Sequence, residues 1–491
     1  MKLEYKDIGP DDVFDYCVIG SGPAGMACAL TLAAAGRMRV LLLEGGGKQS
    51  TQESQQLYAG TTSGDTYRDR ALTSSRLRYF GGTTNHWNGW CRTLDSHDFQ
   101  RKGNTKTQWP IAKEDLDAHF REAADILDLP EVPADRPMGD SGLNFVDFVW
   151  APRMKYLRHY FPVRILQKYY DIVVAHQHIF LLLNANVTQI ETNGASVTSV
   201  RVKSFTGEER KIRAHYFVLA AGGIENSRLL LWSNQLSNGQ LVKNSSTLGR
   251  YWMDHPHFTL GDGFIATRFF ENARNSQRSR IFLSPTPALM AQNDILNCGL
   301  RVEELGERSR AILERFEAVA PQAGRRALEL FDQNLVRGVR LRAAWEQEPV
   351  ASNCITLNNE TDALGVPRSN LHWVKNERDR RTVAVCARRF GEYLAREDTG
   401  RLRLDPWVLG EDDFPTRDEI AGPHHLGGTR MADTAGEGVV DRDCRVFGQS
   451  NLYIAGSSVF PSGGHANPTL TIVQLAVRLG HHLKAQSREH G

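Results

Sequence analysis

The sequence predicts an α/β protein in which a parallel sheet with covering helices is joined to a second domain built on a largely antiparallel sheet. Three observations carry this expectation. The chain has 491 residues, more than one hydrophobic core usually serves, so two domains are expected. A glycine-rich turn near the start stands between an apolar run and an alanine-rich stretch. Further on, VTQIETNGASVTSVRV and CITLNNETDALGVPRSNLHW alternate with period two and carry turn signals, as strands and hairpins do.

The first element, Phe14 to Ile19, is a short apolar run suited to a buried parallel strand. Gly20, Gly22 and Gly25, with Ala24 among them, then spell GxGxxG. A helix comes next, with Gly36 at its stop, and a second apolar strand from Val40 to Leu43 closes on Glu44. The first glycine permits a tight turn, the second lets backbone approach a pyrophosphate, and the third lets helix pack on strand. The helix N-terminus offers free N–H groups and positive dipole to the same pyrophosphate. Glu44 accepts hydrogen bonds from ribose hydroxyls and repels a 2′-phosphate, which disfavours NADP. NAD and FAD both satisfy this Rossmann-like motif. No second GxGxxG occurs, so one bound dinucleotide and an external electron acceptor are expected.

Composition sets the outer bounds. A formal charge of +2 points to neither nucleic acid nor an anionic membrane as obligatory partner. No window approaches 18 uninterrupted apolar residues, so no integral membrane segment is expected. MKLEYKDIGPDDVF has no secretory character, and the seven cysteines are scattered and never CxxC. The expectation is a cytoplasmic protein with reduced thiols, no disulfide framework and no metal site. Gly306 to Phe331 reads as an amphipathic helix lying solvated on its own domain. Arg268, Arg274, Arg278 and Arg280 read as a charged loop.

Several further blocks fall in a telling order: GGTTNHWNGW at 81–90, YFVLAAGGIENSRLLLWSN at 216–234, LGRYWMDHPHF at 248–258, HHLGGTRM at 424–431, and LYIAGSSVFPSGGHANPTLT at 452–471. Together with GSGPAG they resemble the glucose–methanol–choline (GMC) family of FAD-dependent oxidoreductases, nearest its pyranose 2-oxidase-like members. The matching blocks spread from about residue 13 to 483 but fill less than half of the chain, and 260–345 matches little. The resemblance implies a GMC/p-hydroxybenzoate hydroxylase-like architecture. Residues 1–110, 180–258 and 420–491 would form a discontinuous FAD-binding domain, and 111–179 and 259–419 the substrate-binding domain. The LNNETDALGVPRSNLHW pair would belong to the substrate sheet.

The resemblance also assigns residues. Gly81, Gly82, Asn85 and His86 would pass beside the flavin, with His86 where some members bond FAD covalently and others hold it without a bond. Val187 would lie by the adenine, and Gly456, Pro468 and Thr469 would contact FAD. Gly456 stands where many members carry an acid, which puts the contacts there in doubt. Oxidising a small-molecule alcohol to a carbonyl requires a base and a hydride acceptor, flavin N5. The HxxGT histidine, assigned to His425, would be the base, with His424 pointing elsewhere. Asn467 would anchor the substrate oxygen, and it also has the look of a helix N-cap; His465 ranks behind it. A sugar or sugar-like polyol is the implied substrate, with oxygen or another carrier as acceptor. The alternative is a hydroxynitrile lyase-like reaction in which His425 works as acid/base and FAD is structural.

Overall fold

The computed structural model describes residues 1–34, 36–65, 72–100, 108–150, 154–156, 159–161, 164–273, 280–416 and 423–489. Arg274 and Arg278 lie outside them.

The Val13–Ile19 strand sits at the centre of an eight-stranded sheet, paired in parallel with Val40–Leu43 on one side and Glu209–Leu219 on the other. Ile179–Leu182 and Lys2–Leu3 extend the first side, and Leu452–Ile454 pairs with Glu209–Leu219. VLLL at 40–43 is buried throughout, which is why its sequence is a continuous apolar run. The helices Pro23–Ala33 and Thr469–Glu489 pack together over this sheet, so chain start and chain end share one core. VTQIETNGASVTSVRV forms the expected antiparallel hairpin, Asn186–Thr192 with Val197–Lys203, at the edge of the same sheet.

A second sheet has seven strands, all antiparallel, in the order Gly400–Leu404, His257–Ala266, Val336–Trp345, Cys298–Glu304, Arg280–Pro285, Leu143–Val146, Arg136–Pro137. One face packs Leu300, Val302, Leu341 and Ala343 against the helix Glu377–Arg396. Mixed parallel and antiparallel sheets thus occur in the α/β combination that the sequence implied.

Two expectations need correction. The 354–373 segment does form an antiparallel strand pair, Cys354–Thr361 with Pro367–Trp373, but not in the seven-stranded sheet. It pairs in parallel with Gly60–Gly64 in a sheet of its own. Gly60 makes this possible, because a Cβ there would stand 2.2 Å from the Ser369 carbonyl oxygen. The Gly306–Phe331 segment is two helices, Ser309–Val319 and Pro321–Asp332, folded against each other. Pro321 cannot continue a helix, and Gly324 lets the pair close, since its Cβ would lie 2.2 Å from the Glu317 Cα.

Arg228, on the Gly223–Leu236 helix, ties these pieces together. Its buried guanidinium pairs with Glu225 at 3.0 Å and Asp362 at 2.7 Å and donates to the carbonyls of Leu57, Val366 and Pro367. Removing one member of such a network strands the others unpaired. Arg228→Met should therefore lower stability by about 3–5 kcal/mol, read as a fall in the urea midpoint; a loss under about 1 kcal/mol would show the network to be dispensable.

Candidate active site

A cavity of about 1110 Å³ lies between the two large sheets. That exceeds the ~300–1,000 Å³ of ordinary small-ligand sites, leaving room for a dinucleotide and a second molecule.

At one end the glycine turn opens into it. Gly20 has φ +107° and packs its α-carbon against the Ala220 carbonyl, where a Cβ would stand at 2.5 Å. A Cβ on Gly25 would meet the Gly20 oxygen at 1.8 Å, so Gly25 serves helix packing and does not line the cavity. At Gly22 the same added atom meets nothing within 4 Å. Gly22 is also the N-cap of the Pro23–Ala33 helix and makes no side-chain cap, so the first N–H groups face open space. An anionic pyrophosphate fits there. Arg76 and Arg78 line the same end, and Arg76 Nε and Nη1 and Arg78 Nε are buried without a hydrogen-bond partner among the described residues. FAD fits these residues.

Glu44 reaches the cavity, but its carboxylate is already engaged. Oε2 accepts from the Ser21 hydroxyl at 2.6 Å and the Ser21 N–H at 3.1 Å, and Oε1 from the Gly46 N–H at 2.9 Å. The Ser21 hydroxyl in turn accepts from the Gly81 N–H at 3.1 Å. Gly81 and Gly82, at φ +90° and +54°, bring their loop down on the glycine turn, Gly82 within 3.3 Å (as a Cβ) of the Gly22 α-carbon. Gly82, His86, Trp87 and Trp90 line the cavity, whereas Gly81 and Asn85 stand behind the wall. The Asn85 amide nitrogen donates to the Phe80 carbonyl at 2.8 Å, while its Oδ1 is buried without a hydrogen-bond partner among the described residues. His86 is exposed to the cavity, and burial of its ring, then Arg164, lowers its pKa. Ala24, Val187, Gly456, Pro468 and Thr469 all reach the wall.

At the other end the two adjacent histidines part company. Both line the cavity and both are half-buried. The His425 ring lies 5.9 Å from Trp252 and within the field of Arg76, on the cofactor side. The His424 ring meets His255, Nδ1 to Nδ1 at 2.9 Å. His255 Nε2 stands beside the Gly463–Gly464 backbone that leads into His465. Successive residues of an extended segment point to opposite sides, which is how two neighbours face two different ends. Asn467 lines the cavity and donates to the Trp90 carbonyl at 3.0 Å, joining the start of the last helix to the GGTTNHWNGW block. His465 is buried 3.4 Å from Asp95, whose other oxygen pairs with Arg92 at 2.7 Å. Burial raises the Asp95 pKa, but His465, Arg92 and His97 outweigh it and hold the group well below the usual carboxylate range. Asp95, His97 and Asp98 cluster, with Asn297 Nδ2 between them at 3.0–3.3 Å.

The model of the family described as FAD dependent oxidoreductase matches residues 15–345, and that of GMC oxidoreductase matches 349–476. The chain belongs to the FAD-dependent oxidoreductases and carries the C-terminal domain of a GMC oxidoreductase. It is 27% identical over 315 residues to the 2-methyl-1,2-propanediol dehydrogenase of Mycolicibacterium austroafricanum, covering 62% of this chain and 54% of that one. It is 26% identical over 317 residues to the fructose dehydrogenase large subunit of Gluconobacter japonicus, covering 61% and 52%. The C-glycoside 3-oxidase of Microbacterium trichothecenolyticum is 27% identical over 304 residues, covering 59% and 50%. The chain thus spans about half the length of the curated relatives it matches. The fold is that of pyridoxine 4-oxidase from Mesorbium loti, at a TM-score of 0.61 and 17% identity over 96% of this chain and 99% of that one. The formate oxidase of Aspergillus oryzae RIB40 matches at 0.56 and 16%, over 98% and 100%. No helix among the described residues is long and apolar enough to cross a membrane.

The site contains residues that sequence reading missed. Arg76 and Arg78 were readable only as part of SSRLRYFGG, with nothing to mark them as cavity groups. His257 lies in the LGRYWMDHPHF block but was not singled out; Arg301, Glu303 and Arg342 lie in the stretch that resembles little, yet LRVEE and VRLRAAW alternate apolar with charged residues, and that was a signal.

Burial holds His255, His424 and His425 neutral, at about 3, 4 and 3, against about 6.5 in an unfolded chain. Below about pH 6.5 the unfolded chain takes up these protons first, so stability falls as pH drops toward about 4. Asp379, raised to about 7 by burial, acts oppositely, staying protonated in the folded state where the unfolded chain has ionised. Three groups against one leave a net loss on acidification. The thermal midpoint should drop between about pH 7 and about pH 5, and a rise would contradict neutral histidines.

Proposed function

We propose that this protein oxidises the CH–OH group of a small alcohol, a sugar-like polyol, to a carbonyl. The observation that carries the reading is one cavity receiving both the open glycine turn and the His424–Asn467 end. The Gly22 turn with Arg76 and Arg78 would hold FAD, which would supply the hydride acceptor, with oxygen or another carrier as the electron acceptor. The relatives' printed activities on diols, fructose and C-glycosides support an alcohol substrate. In this reading 1–110, 180–258 and 420–491 serve FAD, and 111–179 and 259–419 serve the substrate.

His424 and His425 both reach the cavity, and one tautomer of the His255–His424 pair would suit His424 to the role of base. Two neutral imidazoles meeting Nδ1 to Nδ1 need one donor and one acceptor. In one of the two tautomer arrangements of this pair the His255 proton sits on Nε2, the nitrogen turned away from His424, which has no hydrogen-bond partner among the described residues. His255 Nδ1 is then the acceptor, His424 Nδ1–H the donor, and His424 Nε2 carries the lone pair that takes a hydroxyl proton. His255 is in this account the positioning residue that sets the tautomer. Asn467, fixed by its bond to the Trp90 carbonyl, presents its remaining amide atoms to the substrate oxygen and orients the carbinol carbon. The motif spacing favours His425 instead, and substitution separates the two.

Anaerobic flavin bleaching by pooled polyols is the test of the reaction; a yellow protein that none bleaches would favour lyase chemistry. His424→Ala should slow bleaching by about 10²–10⁴-fold, with His425→Ala slowing it far less. The opposite ranking would return the base to His425. We further propose His86 as a covalent attachment point, its ring being unprotonated and turned to the cavity. Acid-precipitated protein should stay yellow and His86→Ala should release its FAD; release from the unmodified protein refutes the bond.

A further inference from the structure

The seven-stranded sheet turns its polar face to the cavity, and that face carries an excess of positive charge. On adjacent strands the register pairs Gly299 with Ala344, Arg301 with Arg342, and Arg280 with Glu303. Alternation puts Leu300, Val302, Leu341 and Ala343 into the core and leaves Arg280, Arg301, Glu303 and Arg342 lining the cavity. Glu303 is the one carboxylate among them. It stands 3.0 Å from Arg301, 3.3 Å from Arg342 and 3.5 Å from Arg280. Three guanidiniums thus share one negative charge. The arginines further along the same strands are matched by acids of their own, Arg340 by Asp262 and Arg337 by Glu304.

Arg301 and Arg342 are not solvated surface charges, whereas the Arg280 side chain is 43% exposed. The Arg301 and Arg342 side chains are 12% and 18% exposed. Their Nε atoms are buried without a hydrogen-bond partner among the described residues; Arg301 Nε has Glu303 within ion-pair distance but not in hydrogen-bond alignment. Trp90 floors the cluster, its ring 5.2 Å from the Arg280 guanidinium and 5.6 Å from that of Arg301. Two buried guanidiniums against the single carboxylate of Glu303 leave an excess positive charge, which is unfavourable unless an anion completes the site. The place of that anion relative to the chemistry is set by the strands. A Cβ on Gly299 would stand 3.0 Å from His465 Nδ1, and Arg301 lies two residues, about 7 Å, further along.

We infer that Arg280, Arg301 and Arg342 bind the oxyanion of the substrate, a carboxylate or a phosphate, so that the alcohol this protein takes is an anionic polyol. The inference rests on the proposed alcohol oxidation and narrows its substrate class. A guanidinium fork matches either oxyanion in bidentate fashion, whereas neutral hydroxyls would leave the excess charge unanswered.

Calorimetric titration of the purified flavoprotein at constant ionic strength with sorbitol, gluconate and sorbitol 6-phosphate tests this. One of the two anions should bind about tenfold or more tighter than sorbitol, and which one names the oxyanion. Arg342→Gln and, as the more exposed and safer substitution, Arg280→Gln should each remove most of that preference. Binding of sorbitol as tight as either anion, or no binding by either anion, overturns the inference. The same ligands mixed anaerobically keep the two claims apart. Bleaching by sorbitol without any anion preference sinks the oxyanion site and leaves alcohol oxidation standing. An anion that binds through these arginines but belongs to no alcohol able to bleach the flavin leaves the site standing and sinks the oxidation.

Discussion

The buried carboxylate of Glu44 is the constraint on which the cofactor end depends. A carboxylate in that position must be answered by donors, and all of its answers come from turns. Ser21 lies in the GxGxxG turn, Gly46 in the turn after the second strand, and Gly81, one hydrogen bond further on through the Ser21 hydroxyl, in the GGTTNHWNGW loop. Three segments distant in sequence are thereby held to within a few bonds of one another. Each can approach only because glycine stands at the contact. A Cβ at Gly46 would lie 2.2 Å from the Arg78 carbonyl oxygen, and Gly82 presses on Gly22. The density of hydrogen-bonding residues beside two glycines in that loop therefore has a structural cause. The glycines dock the loop on the dinucleotide turn, and this docking delivers His86 through Trp90 to the cavity wall.

That cofactor end was legible because its constraints are local. Strand, turn, helix, strand and acid succeed one another within about thirty residues, and each residue type is forced by backbone geometry that a sequence displays directly. The eight-stranded sheet inherits its order from the same units. What could not be read was which of two neighbouring histidines faces which end, because His424 and His425 differ only in the side of an extended segment they leave from. That choice is made by Asp254, Met253 and Trp252 on another segment. The Asp254 carboxylate accepts from the His424 N–H at 2.7 Å, and Met253 bridges Leu426. Nor could the partner of the 354–373 hairpin be read, since Gly60–Gly64 is a short polar strand with little apolar pattern.

The stretch from 260 to 345 gave the least by resemblance and holds much of what distinguishes this cavity. Its information was in periodicity. A strand reading Arg340-Leu341-Arg342-Ala343-Ala344-Trp345 must place Leu341, Ala343 and Trp345 on one side and its arginines on the other. An antiparallel sheet with one face in the core can afford a polar second face toward water or toward a ligand. Here that face is roofed by the cofactor sheet, so its charges are taken out of bulk water without leaving the cavity.

The two charged zones of the cavity also bear on each other. Burial and then Arg301 and Arg342 push the His257 pKa well down, and His257 lies with His424 and His255 in one field. Positive charge on the sheet therefore opposes protonation of His257 and keeps it a lone-pair acceptor. The same charge favours an anion in the space between, whether it arrives on a ligand or develops on a hydroxyl losing its proton. An entering anion would cancel part of the arginine field at His257, so that oxyanion binding and the protonation of that imidazole would be coupled through electrostatics alone, with no moving part between them.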